Sequence, residues 1–146
     1  MEIIIVVFVI LSLIGSISFL KPSKKMKALS AIRHIASKEG FKIGSTQILR
    51  KKFKSWTPQV AIYQIKNDSS FKDMHFVREG NALILYAPMS LKYDKQFLVI
   101  QEKILLLPNS VLEIIFFQSN IAIVWNEMQG HEELLNIKTA ILNISN

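Results

Sequence analysis

The sequence predicts an α+β protein: an N-terminal transmembrane helix, a basic amphipathic juxtamembrane helix, then a mostly antiparallel sheet with a C-terminal helix packed on it. Three observations predict it. Ile3 to Leu20 is a run of eighteen residues without a charge. Basic residues then crowd into one block directly after that run. Beyond Gly40 the chain becomes a series of short β-branched and aromatic segments separated by turn residues. The expected division is 1–21 transmembrane anchor, 22–40 juxtamembrane helix and 41–146 small cytoplasmic α+β domain.

The opening run comes first. As a helix, eighteen residues span roughly 27 Å, close to the ~30 Å hydrocarbon core of a bilayer. Ser12, Gly15, Ser16 and Ser18 are tolerable there, because a hydroxyl can bond back to the carbonyl one turn earlier. Pro22 blocks regular continuation near Lys21. A cleaved signal needs a basic n-region, and Met1-Glu2 does not supply one. A soluble core helix needs a polar stripe, and Ile3 to Leu11 has none. A permanent anchor is therefore expected. Lys21, Lys24, Lys25, Lys27 and Arg33 follow it closely, which places its C-terminal side in the cytoplasm and its N-terminus outside. The expected location is the bacterial inner membrane, crossed once.

The juxtamembrane block holds most of the charge. The chain carries a net +7, yet residues 21–54 alone carry eleven Lys and Arg against the single acid Glu39. Ser23 is a suitable N-cap, and KKMKALSAIRHIASKEG reads as a helix ending at Gly40. Met26, Leu29, Ile32, Ile35 and Ala36 share one face, with Lys24, Lys27, Arg33, His34 and Lys38 on or beside the other. The expectation is that the apolar face packs on the domain while the basic rim meets anionic headgroups, at about 1 kcal/mol per basic residue near the surface. A second cluster, Arg50, Lys51, Lys52 and Lys54, is flanked by Phe53 and Trp56, with Trp56 read as a core residue. The candidate headgroup contacts are Lys21, Lys24, Lys25, Lys27, Arg33, Arg50, Lys51, Lys52 and Lys54. Nucleic acid is not an expected partner, since no recognisable nucleic-acid motif accompanies the cluster.

In the domain, FKIGSTQIL, QVAIYQIK, KDMHFVR, ALILYA, FLVIQ, VLEIIFFQ and IAIVWNE read as strands. Hairpin turns are expected at Glu79-Gly80-Asn81 and at Ser119-Asn120. The stretch DKQFLVIQEKILLL fits either a buried strand or a short helix, and Pro108 ends it. GHEELLNIKTAILNI reads as a helix, with Glu132 and Glu133 favouring its N-terminal dipole and Leu134, Ile137, Ile141 and Ile144 forming its apolar stripe.

No constellation for catalysis, cofactor binding or metal binding is legible. The chain has no cysteine. His131-Glu132-Glu133 is not a zinc motif, and Asp73-x-His75 has no third ligand in view. Gly40 to Thr46 has the wrong glycine spacing for a phosphate loop and lacks its lysine. No enzyme activity, cofactor or small-molecule substrate is expected.

Two stretches carry a resemblance. One is FLKPSKKMKALSAIRHIASKEGFKI, with Arg33, Ala36 and the closing Gly40. The other is LPNSVLEIIFFQSNIAIVWNEMQGHEELLNIKTAIL, with Leu107-Pro108 and the Trp125-x-Glu127 pair. Together they resemble a family of small single-span inner-membrane proteins of gammaproteobacteria, some labelled preprotein translocase subunit YajC. Genuine YajC shares the single span and a Leu-basic-Pro exit, here Leu20-Lys21-Pro22, but has a much shorter β domain. The resemblance implies no catalytic residues. It adds a possible link to protein export to the leading expectation, a non-enzymatic membrane-anchored module that binds a protein partner or a second copy. The alternatives are a sensor of anionic lipid built on residues 21–54 and a ligand-binding domain whose pocket spacing does not reveal.

Overall fold

The computed structural model describes residues 1–44 and 46–146. Helices α1 (Glu2–Phe19) and α2 (Lys24–Lys38) come first, then strand β1 (Lys42–Ile43) and helix α3 (Gln47–Lys52). Strands β2 (Ala61–Lys66), β3 (Met74–Glu79) and β4 (Ala82–Ala87) precede helix α4 (Lys95–Ile104). Strands β5 (Val111–Phe116) and β6 (Asn120–Trp125) and helix α5 (His131–Ser145) complete the chain. The six strands form one antiparallel sheet in the order β1-β2-β6-β5-β3-β4. The protein is thus α+β, with an apolar N-terminal helix, an antiparallel sheet and a C-terminal helix.

α1 is apolar throughout, and none of its residues is buried. It is long and apolar enough to cross a membrane. Its hydroxyls are satisfied internally: Ser16 Oγ donates to the Ser12 carbonyl at 2.8 Å and Ser18 Oγ to that of Ile14 at 2.9 Å. Helical geometry ends at Leu20, just ahead of Pro22. Ser23 then caps α2 by accepting from the Met26 amide at 3.2 Å, and Gly40, with φ +90°, takes the chain out of it.

Three helices cover one face of the sheet, with α5 packed between α2 and α4. Ile32 and Ala36 of α2, Ile100 and Ile104 of α4, and the stripe Leu134, Ile137, Ile141 and Ile144 of α5 meet Tyr63, Phe76, Phe116, Ile123 and Trp125 from the strands. On the other face α3 and the loop after it set Leu49, Phe53 and Trp56 against Ile62, Ile115, Ala122 and Val124. That cover stops short of the β3–β4 edge, where Ile84 and Tyr86 are exposed.

Two strand expectations are corrected. FKIGSTQIL forms the two-residue β1 and then turns helical in α3, with Ser45 outside the described residues. Gly44, at φ +122°, breaks the extended chain, and Thr46 caps a run of good helix formers by accepting from the Leu49 amide. FLVIQ lies in α4: Asp94 caps that helix through the Gln96 amide, and the one-turn spacing of Ile100 and Ile104 buries both. The two hairpin turns and the remaining strands form where the sequence places them. Trp56 is only partly buried.

Because Ile137 is fully buried in the helix layer and Leu142 is half exposed, their truncations should separate. Ile137→Ala is expected to cost about 2–5 kcal/mol of unfolding free energy, and Leu142→Ala no more than about 0.5 kcal/mol, measured by chemical denaturation of the full chain in detergent.

Candidate membrane-proximal interface

The side chains that orient α2 come from distant parts of the sequence. Glu127 opens the short helical turn after β6 and is almost fully buried. Its carboxylate takes both prongs of the Arg33 guanidinium, from Nε at 2.8 Å and from the second nitrogen at 2.9 Å. It also accepts from the Tyr63 hydroxyl at 2.7 Å. Burial and the bond to Glu127 push the Tyr63 phenol far above its ordinary range. The same carboxylate raises Arg33 above an already high value, so this cation stays charged at every working pH. At the other end of α2, Lys138 of α5 meets Glu39 at 2.5 Å. α2 is therefore tied to the domain at two points along its C-terminal half. No residue before Ile32 is buried, and the first two turns of α2 lie at the margin of the domain, where Lys25 and Leu29 line a cleft with Met128.

The nine candidate headgroup contacts divide accordingly. Lys21 lies in the short link between α1 and α2, and Lys24, Lys25 and Lys27 lie on those first turns, all exposed. None of these four forms an ion pair among the described residues. Arg33, half exposed, is committed to Glu127. Arg50 stacks its guanidinium over Trp56 at 4.8 Å, and a cleft of about 210 Å³ has both Arg33 and Arg50 in its lining. Lys51 is exposed. Lys52 and Lys54 lie over the sheet face opposite α2, with their ammonium groups 4.8 Å from the Phe117 ring and 4.0 Å from the Tyr86 ring. The basic block that is continuous in sequence is thus distributed over two faces of the fold.

A second buried acid sits under the loop after α3. Glu113 of β5 has no exposed surface. It accepts from the Lys54 amide at 3.0 Å through each oxygen, from the Ser55 amide at 2.7 Å, and from Nε2 of His75. Burial alone pushes its carboxyl pKa up; the bonds from His75 and the two amides outweigh that and hold it below the ordinary range. Glu113 therefore fixes the loop that covers the second sheet face. Asp73 is turned away from this cluster and accepts instead from the Gln118 amide nitrogen. The Asp73-x-His75 pair is thereby split.

Sequence reasoning missed Glu127 and Glu113 as organising groups. Acids flanked by strongly apolar strands, as in VLEIIFF and IVWNE, are the signal for both, and the Trp125-x-Glu127 pair stands in the resemblance without a role. Compared with protein-family models, with curated proteins and with solved structures, the chain has no match in any of the three.

Two outcomes are expected. Glu127→Ala leaves Arg33, which water can solvate, and the buried Tyr63 hydroxyl without their acceptor and should cost about 1–3 kcal/mol; amide exchange should show α2 opening more readily than the strands. Glu113, with its pKa depressed in the fold, contributes stability that is present above the ordinary carboxylate value of 4.5 and is lost as pH falls through its folded value. Glu113→Gln should therefore lower stability at pH 7 and flatten the acid limb of the stability curve below about pH 4.5, read by denaturation across pH.

Proposed function

We propose that this chain is a membrane-anchored, non-enzymatic protein-interaction module on the cytoplasmic face of a bacterial inner membrane. α1 spans the bilayer, and the basic residues that follow it stay on the cytoplasmic side. α2 is the stem, and the sheet domain is the part that meets a partner. One observation carries the reading. Strand β4, ALILYA, is the outer strand of the sheet, with no charge and no proline in it. Its Ile84 and Tyr86 are about two-fifths exposed. Edge strands are usually blunted by lysine, proline or a covering element. This one carries a bulge near Tyr86, where the β3–β4 register shifts, and Lys54 over the Tyr86 ring, while Ile84 has neither beside it. A strand of a protein partner added there gains main-chain hydrogen bonds and covers Ile84. An accessory place at the protein-export channel is the specific form that the exit segment Leu20-Lys21-Pro22 suggests by resemblance.

A second reading, a sensor of anionic lipid, is favoured by Lys21, Lys24, Lys25 and Lys27. They are exposed, without ion-pair partners among the described residues, and adjacent to the span. It predicts association that weakens steeply with salt.

A photo-crosslinking side chain at Ile84 of the full chain, in native membranes, is expected to give a discrete protein adduct. Ala82→Lys, a charge on the same strand face, should abolish that adduct without lowering stability. Absence of any adduct at Ile84, or one indifferent to Ala82→Lys, overturns the edge-strand reading. Recovery of only a shortened chain lacking the residues before Lys21 overturns the anchor.

A further inference from the structure

We propose that the end of the sheet from which α2 projects is a bilayer-contact surface, with Leu105, Leu106 and Met128 seated at the lipid interface. The inference rests on the reading that α1 spans a membrane, and it concerns how the domain stands on that membrane.

The strand register defines this end. Ala61 and Val111 both lie opposite Trp125, so β2 begins, β6 finishes and β5 begins there. Arg33 reaches Glu127 just beyond Trp125. One turn earlier, Lys25 and Leu29 share a cleft with Pro58, Val60 and Met128. The stem therefore leaves the domain past this end, and α1 lies beyond it. α4 runs toward the same end, since Leu107 is followed by Pro108 to Ser110 and then β5. Arg78 holds that corner by donating to the carbonyls of Pro108 and Val111.

The chemistry of the two ends differs. Loops 57–60, 105–110 and 126–130 contain one charged residue, Glu127, and Arg33 neutralises it. In these loops Leu105 is 59% exposed, Leu106 62% and Met128 55%. The β3–β4 turn adds Glu79 at the far corner. At the opposite end, loops 67–73 and 88–94 carry Asp68, Lys72, Asp73, Lys92 and Asp94. Met89 and Tyr93 are exposed there too, but lie among those charges. Lys103 at the end of α4 and Glu132 and Glu133 in the first turn of α5 border these loops, and exposed large apolar side chains with a polar rim mark an interaction surface. Here that surface faces the side on which the membrane helix departs.

Reach permits the contact. From Lys24 to Ile32 the largely exposed part of the stem is about 12 Å long. Pro22 and Ser23 lie outside both helices, so the stem can tilt at its junction with α1. A tilted stem lowers Met128, which already shares a cleft with Lys25, and Leu105 and Leu106 with it toward the bilayer, while Lys24, Lys25 and Lys27 meet headgroups. A bilayer fits this surface better than a second protein, because it follows from the anchor alone and supplies both the apolar and the anionic component.

The absence of cysteine makes the test direct. Single cysteines at Ser12, Leu105, Leu106, Met128 and Ser119 of the full chain carry an environment-sensitive fluorophore. Each variant is reconstituted in nanodiscs of phosphatidylcholine and phosphatidylglycerol, with and without brominated acyl chains. The expected result is loss of fluorescence to bromine at Ser12, Leu105, Leu106 and Met128, and none at Ser119. With Leu105→Gln and Leu106→Gln together, the Met128 probe should lose its quenching while the Ser12 probe keeps it. Quenching at Ser12 with Leu105, Leu106 and Met128 behaving like Ser119 overturns the inference and leaves the anchor standing. An unquenched Ser12 overturns both. A blue shift without quenching at Leu105, growing with the number of chains per disc, assigns the surface to a second copy and overturns the bilayer contact.

Discussion

The orientation of α2, and of the apolar helix that precedes it, depends on one buried carboxylate. Glu127 stands outside the last strand, and its partners Arg33 and Tyr63 come from α2 and the second strand. Ionised in a site almost closed to water, it carries a desolvation penalty of several kcal/mol. The two-pronged guanidinium and the phenol offset that penalty together, because they satisfy the geometry of the carboxylate as well as its charge. Lys138–Glu39 is more exposed and contributes less, but it holds the other end of α2. A helix with only Ile32 and Ala36 buried would otherwise be weakly held. The polar clamp converts a loosely packed helix into a stem of fixed direction.

The sheet shows the same strategy on its other face. α3 and the loop after it cover β2, β6 and β5 with few apolar side chains, among them Leu49, Phe53 and Trp56. What fixes that loop is Glu113, which collects the amides of Lys54 and Ser55 together with His75. Each face is therefore secured by apolar packing plus one buried acid whose partners lie far away in sequence. The arrangement also separates roles. The Glu113-anchored loop reaches β4 only through Lys54, which lies over the Tyr86 ring, and Ile84 stays exposed.

Periodicity made most of the fold legible. The charge-free run Ile3 to Leu20, the Ser23 cap and Gly40 stop of α2, the alternating strands and the Leu134–Ile144 stripe each announce a local structure that tertiary packing then keeps. Failures came where local and long-range signals compete. FKIGSTQIL alternates like a strand, yet Gly44 and the Thr46 cap redirect it after two residues. FLVIQ is as apolar as its strand neighbours. The stretch fits either form in sequence, and the Asp94 cap with the one-turn spacing of the buried Ile100 and Ile104 decides for a helix. The basic block was legible as a charge and not as a surface. Folding commits Arg33 to Glu127 and lays Lys52 and Lys54 over aromatic rings. Glu113 and Glu127 were unreadable as sites because an acid acquires its role from partners that sequence spacing does not relate.

The placement of charge then gives the domain a direction. Net charge describes the chain as uniformly basic, but the folded molecule is polarised from end to end. The exposed lysines nearest α1 stand beside loops with almost no net charge and three exposed apolar side chains. The far loops mix acids and bases and suit water. Such a distribution has no use in a freely tumbling domain, where one end meets the same solvent as the other. It has one in a domain whose stem fixes which end approaches a surface. The Glu127 clamp supplies that fixed stem, which ties the polarity of the surface to the direction of the anchor.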